Sequence, residues 1–464
     1  MARKRSQPDD REPQFVPPDE RRDRGKALRA DVPREAHGQW KPGKDRRDVV
    51  DILVESNRGR MPELVPLRFA RMMQSPFTFY RGSAAVMAAD LATTPASGIR
   101  VQACGDAHLS NFGGFATPER RLVFDINDFD ETLPAPWEWD LKRLAASVVV
   151  AGRDIRLSET EANRAARATA RSYREHMADY ASMHALEVWY DTIDVDRFLK
   201  AMESEERRRI VAERIERTEA RNTPEYIFPK MAEHRGAMPT IKDDPPLIFH
   251  PTREQAPGQE SRYAEAIARY RSSLAEPIRV LFDRFHLCDV AFKVVGIGSV
   301  GTRCAVALFM AADDDPLFLQ VKEANRSVLE PHAGAAKHKN HGERVVIGQR
   351  LMQSASDLFL GWAQVENGSH VYVRQLRDMK ISAVIESFDA GDLRDYGRVC
   401  GWALARAHAR SGDPALIAGY MGASEAFDDA ITDFAVDYAD QTHKDHRAFV
   451  KAIRQGRIEV AQEG

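Results

Sequence analysis

Apolar side chains recur three and four positions apart over much of this chain, which is the spacing of a helix with one buried face. The pattern runs over residues 49–90 with breaks at prolines, returns over 139–150, and appears again over 393–410 and 425–458. A short stretch at 99–103 predicts a strand between the first two helical regions. A large, mainly helical unit is therefore expected.

The composition changes between residues 290 and 376, where β-forming residues replace the helical pattern. Strands are predicted at 291–295, 302–309, 317–321 and 370–375. One helix is predicted between the third and fourth of these strands, at about 342–354. This region is expected to form a small β-rich unit.

The first 45 residues are dominated by Arg, Lys, Asp, Glu and Pro, with Phe15 and Trp40 almost the only large apolar side chains. Such a segment buries too little apolar surface to offset its ordering entropy, so it is predicted to be a disordered tail. The prolines of residues 222–257 predict a long irregular connection. The expected division is a disordered tail at 1–45, a helical unit at 46–287, a β-rich nucleotide-binding unit at 288–376, and helices at 377–464 that complete the helical unit.

The composition excludes several classes of protein. The 464 residues are 43% hydrophobic and 30% charged, with a formal net charge of −3, so no large basic field exists and no nucleic-acid partner is expected. No apolar run approaches the roughly 20 residues that cross a bilayer, and no signal core precedes the first helix, so no membrane partner is expected. The widely separated cysteines contain no C-x-x-C pair and favour a reducing, cytoplasmic setting. They are Cys104, Cys288, Cys304 and Cys400.

The first group of candidate residues lies in C-G-D-A-H-L-S-N-F-G, residues 104–113, and F-D-I-N-D-F-D-E, residues 124–131. Phosphoryl transfer needs a carboxylate that orients the acceptor hydroxyl and oxygen ligands that hold Mg²⁺ against the phosphates. Asp106 is the candidate for the first role, and Asn111 and Asp128 are the candidate metal ligands. Their spacing matches the kinase pattern D-x-x-x-x-N followed by D-F-x. Asp125 is an alternative ligand to Asp128.

The second group is V-V-G-I-G-S-V-G-T-R, residues 294–303. The G-x-G-x-x-G spacing also occurs in dinucleotide-binding folds, where a helix follows it. Here T-R-C-A-V-A-L-F follows, a run of β-formers, so a strand, a glycine turn and a second strand are expected, as in kinases. The candidate residues that bring backbone N–H groups to the phosphates are Gly296, Gly298, Ser299 and Gly301.

The next strand ends in F-L-Q-V-K-E-A, which places Lys322 where kinases have a lysine that contacts the α and β phosphates. The following helix offers Glu343 as the carboxylate that orients this lysine, with Glu330 as the alternative. Gln375, at the end of the last predicted strand, is the candidate adenine contact. These residues imply ATP and Mg²⁺ as cofactors.

Several of these motifs resemble those of aminoglycoside phosphotransferases and related small-molecule kinases. G-D-A-H-L-S-N resembles their G-D-L-H-x-x-N loop, and D-F-D at 128–130 resembles their metal-binding I-D-F-D element. Asp140 stands where that family has an aspartate that opens a helix, and it is expected to cap the helix and anchor the loop. The sequence departs from the family at Cys104, which replaces a histidine, and in the longer interval between Asn111 and Asp128.

The order of the motifs is reversed relative to ordinary kinases, because residues 296–322 follow residues 106–128. The segment Y-G-R-V-C-G-W-A-L-A-R-A-H-A, residues 396–409, resembles the helix that directly precedes the catalytic loop in aminoglycoside phosphotransferases. A circular permutation would reconcile the two orders. The expected fold class is therefore α+β: a two-lobed, protein-kinase-like fold in circularly permuted order.

Longer motifs resemble the bacterial domain of unknown function family numbered 2252, over about residues 45–460. They are SPFTFYRG, CGDAHLSNFG, FDINDFDE, PWEWDLKRLAASVVVAGR, GIGSVGTR, LQVKEA, GQRLMQ, YVRQLRDMK and CGWALARAHARSGD. This resemblance names no substrate.

The expected activity is Mg²⁺-dependent transfer of phosphate from ATP to a hydroxyl group of an unknown small-molecule or protein acceptor. One alternative is an ATP-binding pseudokinase or regulatory module without turnover. Another is a nucleotidyl transferase. A metallophosphoesterase also uses G-D-x-H to place an Asp and a His on a two-metal site, but it would leave Lys322 without a role.

Overall fold

The computed structural model describes residues 16–461 except 221–223, 236–237, 246, 251–258, 295–299, 314, 366–367 and 377–379. The described chain is a mixed α/β structure with several sheets. Its helices are α1 (Pro18–Ala27), α2 (Val49–Ser56), α3 (Val65–Met73), α4 (Pro76–Gly82), α5 (Ala84–Leu91), α6 (Trp137–Asp154), α7 (Glu159–Tyr180), α8 (Ala185–Tyr190), α9 (Val195–Lys200), α10 (Glu205–Ala220), α11 (Pro224–Met231), α12 (Gln259–Ser273), α13 (Glu276–Phe282), α14 (Glu330–Ala333), α15 (His341–Met352), α16 (Ala390–Ser411), α17 (Pro414–Met421) and α18 (Ala426–Arg454).

Strands alternate with these helices in two regions of the chain. They are β1 (Arg100–Ala103), β2 (Phe112–Ala116), β3 (Leu122–Ile126), β4 (Leu133–Pro136), β5 (Ala232–Arg235), β6 (Met238–Ile241), β7 (Ile248–Phe249), β8 (His286–Lys293), β9 (Cys304–Met310), β10 (Pro316–Ala324), β11 (Gly361–Gln364), β12 (His370–Gln375) and β13 (Ile381–Ser382).

Six strands form one antiparallel sheet in the order β11-β12-β10-β9-β8-β7. The four strands predicted between residues 290 and 376 are confirmed as β8, β9, β10 and β12, and the predicted helix is α15. Aromatic residues of α12 and α13 cover one face of the sheet, where Phe282 packs 5.3 Å from Phe309 between ring centroids. The opposite face packs against Met231 and Ile241. The sheet is therefore buried on both sides.

The large helices α6, α7, α16 and α18 pack together around a common core. Helix α6 is buried over most of its length, and Trp137 at its start stacks on Tyr173 of α7 with 5.6 Å between ring centroids. Glycine lets α16 approach α7 closely, since a Cβ at Gly401 would lie 2.4 Å from the carbonyl oxygen of Thr169. Within the described ranges, no helix has both the length and the apolar character required to cross a bilayer.

Two small sheets position the loops of the helical part. Strand β1 pairs with β4, and β2 pairs with β3. The loop between β1 and β2, residues 104–111, therefore emerges beside the loop between β3 and β4, residues 127–132. The sequence motifs G-D-A-H-L-S-N, residues 105–111, and N-D-F-D-E, residues 127–131, therefore lie on these neighbouring loops.

The prediction of a disordered tail over residues 1–45 is wrong for the part that the structure describes, residues 16–45. Arg29 donates to the carbonyl of Tyr420 at 2.8 Å, and Arg34 donates to that of Met421 at 2.9 Å, at the end of α17. Trp40 is only 4% exposed. The segment is ordered mainly because its arginines satisfy helix C-terminal carbonyls, a contribution that apolar composition does not register. Residues 1–15 lie outside the described residues.

The predicted irregular connection at 222–257 is also wrong in part, because its described residues include α11, the β5–β6 hairpin and β7. Polar contacts tie this region to the main sheet. Asp289 of β8 accepts hydrogen bonds from the backbone of Ile241 at 2.7 Å and from His250 at 3.0 Å.

Candidate functional site

A cleft of about 800 Å³ lies between the six-stranded sheet and the two neighbouring loops of the helical part. The loops contribute Asp106 and Asp128, the sheet contributes Lys322 and Arg374, and the helices near the start of the chain contribute Arg81. The volume is in the range of small-molecule and cofactor sites. The cleft is therefore the candidate site.

Hydrogen bonds to Asp140 stabilise the turn that carries Asp106. The Asp140 carboxylate accepts hydrogen bonds from the backbone of Cys104 at 2.7 Å and Gly105 at 3.0 Å, and His408 lies 3.2 Å from it. Gly105 has a φ of +82°, and a Cβ there would meet the Glu131 carbonyl oxygen at 2.5 Å. Asp140 thus anchors the loop as predicted, but it lies within the first turn of α6 and does not cap it.

The Asp106 carboxylate is bound on one side by Arg143. Arg143 donates from Nε to Oδ1 at 2.6 Å and also from Nη2 to the same oxygen. The second oxygen, Oδ2, lies 3.7 Å from Nε2 of His108. Burial raises the pKa of Asp106, against the opposing effect of Arg143. Burial also lowers the pKa of His108 well below its ordinary value, so this histidine is neutral.

Asn111 and Asp128 are brought to the same cleft. The side-chain amide of Asn111 donates to the carbonyl of Asp106 at 2.8 Å, which leaves its side-chain oxygen available to a cation. Oδ1 of Asp128 accepts from the backbone of Asp130 at 3.0 Å, and its side chain is 30% exposed. Both residues therefore offer oxygen atoms in the cleft.

Lys322 lies on β10 and is only 2% exposed. Its Nζ donates to Oδ2 of Asp130 at 2.8 Å and lies 3.8 Å from Oδ2 of Asp128. Tyr372 donates to the other Asp130 oxygen at 2.6 Å. Burial alone would lower the pKa of Lys322, but the charges of Asp128 and Asp130 raise it well above its ordinary value. Although burial acts to raise the pKa of Asp130, Lys322 holds it below its ordinary value.

Neither glutamate predicted to orient Lys322 does so in the structure. The Glu343 carboxylate lies 3.4 Å from His338, and Glu330 accepts from Arg326 at 2.9 Å. The reason is the start of α15: Asn340 caps the helix and accepts from the Glu343 backbone, so Glu343 lies in the half-exposed first turn. The carboxylate beside Lys322 is Asp130.

Two residues other than these glutamates connect the α15 region to the loops of the cleft. Arg344 donates to the carbonyl oxygens of Thr132 at 2.6 Å and Asp130 at 2.8 Å, and Gln353 donates to the Ile126 carbonyl at 2.6 Å. Arg344 of α15 and Gln353, the residue after its end, therefore bind backbone carbonyls of the 127–132 loop and of the end of β3.

Asp125 lies away from the cleft in a buried ion pair. Both of its oxygens are 2.7 Å from Nη2 of Arg406, and both side chains are fully buried. Ser354 also donates to it, from the backbone at 2.9 Å and from the hydroxyl at 3.0 Å. The structure thus assigns Asp125 a structural role, and Asp128 is the aspartate that reaches the cleft.

The predicted phosphate-binding residues Gly296, Gly298 and Ser299 lie outside the described residues. Gly301 is described and has a φ of +85°, a conformation that favours glycine. Its carbonyl accepts from the backbone of Met61 at 2.7 Å. The end of the glycine segment therefore packs against residues that precede α3.

Gln375, at the end of β12, lines the cleft. Its backbone N–H donates to the Asp357 carboxylate. The neighbouring Arg374 donates to Gln320 at 3.1 Å and to the Asn127 carbonyl at 3.1 Å, which joins the sheet to the 127–132 loop.

Three arginines of the cleft wall were not predicted from the sequence: Arg60, Arg68 and Arg81. They belong to the helical region at 49–90, where charged residues are normally solvent-exposed and carry no spacing that signals a site. The one relevant sequence feature was the motif S-P-F-T-F-Y-R-G, which contains Arg81.

The fold and the site define a mixed α/β protein in which a buried lysine of the main sheet contacts an acidic loop at the edge of a cleft. The profile of the family described as "Uncharacterized protein conserved in bacteria (DUF2252)" matches residues 60–452. The chain belongs to this family, which confirms the resemblance of its longer motifs. No curated protein and no solved structure matches the chain.

Proposed function

We propose that this protein is an ATP- and Mg²⁺-dependent phosphotransferase that acts on a hydroxyl group, built on a two-lobed kinase-like fold in circularly permuted order. The observation that carries the proposal is the convergence of Asp106, Asn111, Asp128 and Lys322 on one cleft. Lys322 donates to Asp130 across 192 residues of chain. Sequence proximity cannot account for this grouping.

The order of elements around the sheet supports a nucleotide site. Strands β8 and β9 flank the glycine segment, β10 carries Lys322, and α15 follows before β11 and β12. Kinases have the same succession of glycine turn, lysine strand and helix. Lys322 would contact the phosphates, with Asp130 and Tyr372 holding its position.

The residues present fit a magnesium ion that is bound together with a nucleotide. Asn111 and Asp128 offer oxygen ligands, whereas the described residues contain no group of three or more His, Cys, Asp or Glu side chains that could hold a metal by themselves. Mg²⁺ in such sites typically uses one or two carboxylates and completes its shell with phosphates and water. The ion would neutralise charge on the transferring phosphoryl group.

Asp106 would orient the acceptor hydroxyl and accept its proton. Arg143 holds Oδ1, which leaves Oδ2 as the oxygen for the acceptor. The raised pKa of Asp106, caused by burial, makes this carboxylate a stronger base than an exposed aspartate.

The contacts of α16 support the permuted order. Its last residue, Ser411, lies 3.5 Å from the carbonyl of Gln102 on β1, and His408 contacts Asp140. The helix that would directly precede the catalytic loop in an ordinary kinase therefore ends beside the strand that leads into that loop. The two are neighbours in space although the chain does not connect them directly.

An ATP-binding pseudokinase is the second candidate. One observation favours it: Lys322 pairs with Asp130 of the 127–132 loop and not with a glutamate of α15. A nucleotidyl transferase would use the same binding residues. A metallophosphoesterase is less well supported, because the described residues lack a metal-binding cluster and Lys322 would have no role.

Analysis of the nucleotide products by ³¹P NMR separates these candidates. Purified protein is incubated with Mg²⁺·ATP and a panel of hydroxyl-bearing acceptors, and Asp106→Asn is the matched variant. ADP formation that depends on an acceptor and is lost in Asp106→Asn is the expected result. AMP and diphosphate would instead indicate nucleotidyl transfer, and nucleotide binding without any turnover across the panel would favour the pseudokinase.

A further inference from the structure

Three arginines of the cleft wall have no acidic partner in the described structure. No carboxylate of the described residues lies within 4.0 Å of a guanidinium nitrogen of Arg60, Arg68 or Arg81. Arg60 donates to the Val300 carbonyl at 2.7 Å, and Arg68 donates to the Gly82 carbonyl at 2.6 Å. Neutral oxygens thus position Arg60 and Arg68, and none of the three arginines forms an ion pair with a described carboxylate.

The surroundings of the three arginines are unfavourable for unpaired cations. Burial lowers the pKa of Arg60 against the charges of Glu131, Asp130 and Glu323, and lowers that of Arg81 against the charges of Glu386 and Asp106. Burial and the charge of Arg60 lower the pKa of Arg68 well below its ordinary value, against the charge of Asp106. The buried Nε atoms of Arg68 and Arg81 lack a hydrogen-bond partner among the described residues. Buried charges in proteins are normally paired. An anion in the cleft would supply the missing partner.

The acceptor side of this arginine wall consists of Arg68 and Arg81, because the charge of Asp106 acts on both. Arg60 lies at the Val300 carbonyl, closer to the sheet. Arg81 interacts electrostatically with Asp106, and Arg143, which binds Asp106, also donates to the carbonyl of Tyr80, the residue before Arg81. The Nδ1 atom of His108 is likewise buried in this wall without a partner. Lys322 belongs to the sheet side of the cleft, where Asp130 of the 127–132 loop contacts it.

We propose that the phosphoryl acceptor carries an oxyanion, a phosphate or a carboxylate, which Arg81 binds next to the charge of Arg68 while its hydroxyl group lies at Asp106. This inference rests on the proposed function and names its class of substrate. Arginine suits this role because its planar donors match the oxygens of phosphate and carboxylate groups. A cationic acceptor would face like charges.

In the proposed transfer, one bond forms and one bond breaks at the γ-phosphorus of ATP. The acceptor oxygen forms a bond to the γ-phosphorus of ATP while the bond from that phosphorus to the bridging oxygen of the β-phosphate breaks. The hydroxyl proton passes to Asp106, and ADP leaves with the electron pair of the broken bond. The arginines take no part in these bonds and act by positioning the acceptor.

Isothermal titration calorimetry in two stages tests this proposal. A non-hydrolysable ATP analogue with Mg²⁺ is titrated first, and inorganic phosphate or acetate is then titrated into the saturated protein at constant ionic strength. The variants are Arg81→Gln, Arg81→Lys and Lys322→Ala. Arg167→Gln is the control, since Arg167 lies in exposed ion pairs with Glu425 and Asp429.

We expect phosphate or acetate to bind the nucleotide-saturated protein, and Arg81→Gln to weaken that binding at least about tenfold, the loss of one charge-assisted contact. Arg81→Lys keeps the charge and should retain part of the affinity, which separates charge loss from misfolding. Arg167→Gln should bind as the parent does. The anion that binds more tightly, phosphate or acetate, identifies the group on the acceptor.

Two results would overturn the inference: neither anion binds the parent protein, or Arg81→Gln binds both as tightly as the parent. The first stage reports on the proposed function separately. If the ATP analogue fails to bind while anion binding still depends on Arg81, the phosphotransferase proposal fails and the anion site stands. Lys322→Ala should lose the analogue and keep the anion.

Discussion

Two aspartates three residues apart have opposite environments in this protein. Asp125 is on β3, whose residues are all buried, and its charge is compensated by Arg406. Asp128 lies just beyond the end of the strand, where its side chain is 30% exposed and reaches the cleft. The position at which β3 ends therefore determines which aspartate is accessible from the cleft and which forms a buried ion pair.

The substitution Asp125→Asn is expected to destabilise the protein strongly. It leaves Arg406 as a buried charge without a carboxylate, a change that typically costs about 3–5 kcal/mol. Urea unfolding measures the loss. Asp429→Asn, in an exposed pair with Arg167, is the control and should cost about 1 kcal/mol or less. Equal effects of the two substitutions would contradict the structural role of Asp125.

Glu131 should make stability depend on pH. Burial raises the pKa of its carboxyl group to about 7, against hydrogen bonding from the Val328 backbone. The folded state therefore binds more protons than the unfolded state between the ordinary pKa of about 4.3 and about 7. Stability should fall as pH rises through this window, and Glu131→Gln should flatten that dependence. Thermal melts over a pH series measure this dependence, and an unchanged dependence in Glu131→Gln would contradict the role given to Glu131.

The partner of Lys322 shows what the sequence could not specify. A carboxylate near the lysine was expected, and its position on α15 was inferred from kinase spacing, which placed it at Glu343. The structure instead uses Asp130, from a loop far away along the chain. Ion pairs between distant segments depend on tertiary packing, for which local spacing gives no information.

At the scale of elements, the strands of the main sheet were predictable because β-formers cluster there and turns separate them. The two shortest strands of this sheet, β7 and β11, were not predicted, because two to four residues are too few for a recognisable pattern of apolar positions. The N-terminal segment was mispredicted for a different reason. Its order comes from Arg29 and Arg34 at the end of α17 and from the close approach of α1 at Gly25.

The contact between α16 and α7 should be sensitive to one methyl group. A Cβ at Gly401 would lie 2.4 Å from the Thr169 carbonyl oxygen, so Gly401→Ala must push the two helices apart. Overpacking of this kind costs about 1–3 kcal/mol. Gly43→Ala is the control, because a Cβ at Gly43 would have no atom within 4 Å. Urea unfolding should show a lower midpoint for Gly401→Ala alone, and an unchanged midpoint would contradict the packing described.

At the scale of the whole molecule, the chain brings together loops from its first third and a sheet from its last half. The motifs themselves were visible in the sequence, and the structure places Asp106, Asn111, Asp128, Lys322 and Gln375 along one cleft. The arginine wall was not visible, because Arg68 and Arg81 lie on helices whose charged positions resemble any solvated face and Arg60 lies in the turn between α2 and α3. Function is therefore best tested through the residues that meet across the cleft.

Thermal unfolding with and without Mg²⁺·ATP tests the central claim most directly. A ligand at about 100 times its Kd should stabilise the folded protein by about 2.7 kcal/mol. The account predicts a Mg²⁺-dependent rise in Tm for the parent and for Lys339→Ala, which changes an exposed lysine, and no rise for Lys322→Ala or Asp128→Ala. No rise in the parent at saturating Mg²⁺·ATP, or an equal rise in all four proteins, would contradict a nucleotide site at this cleft.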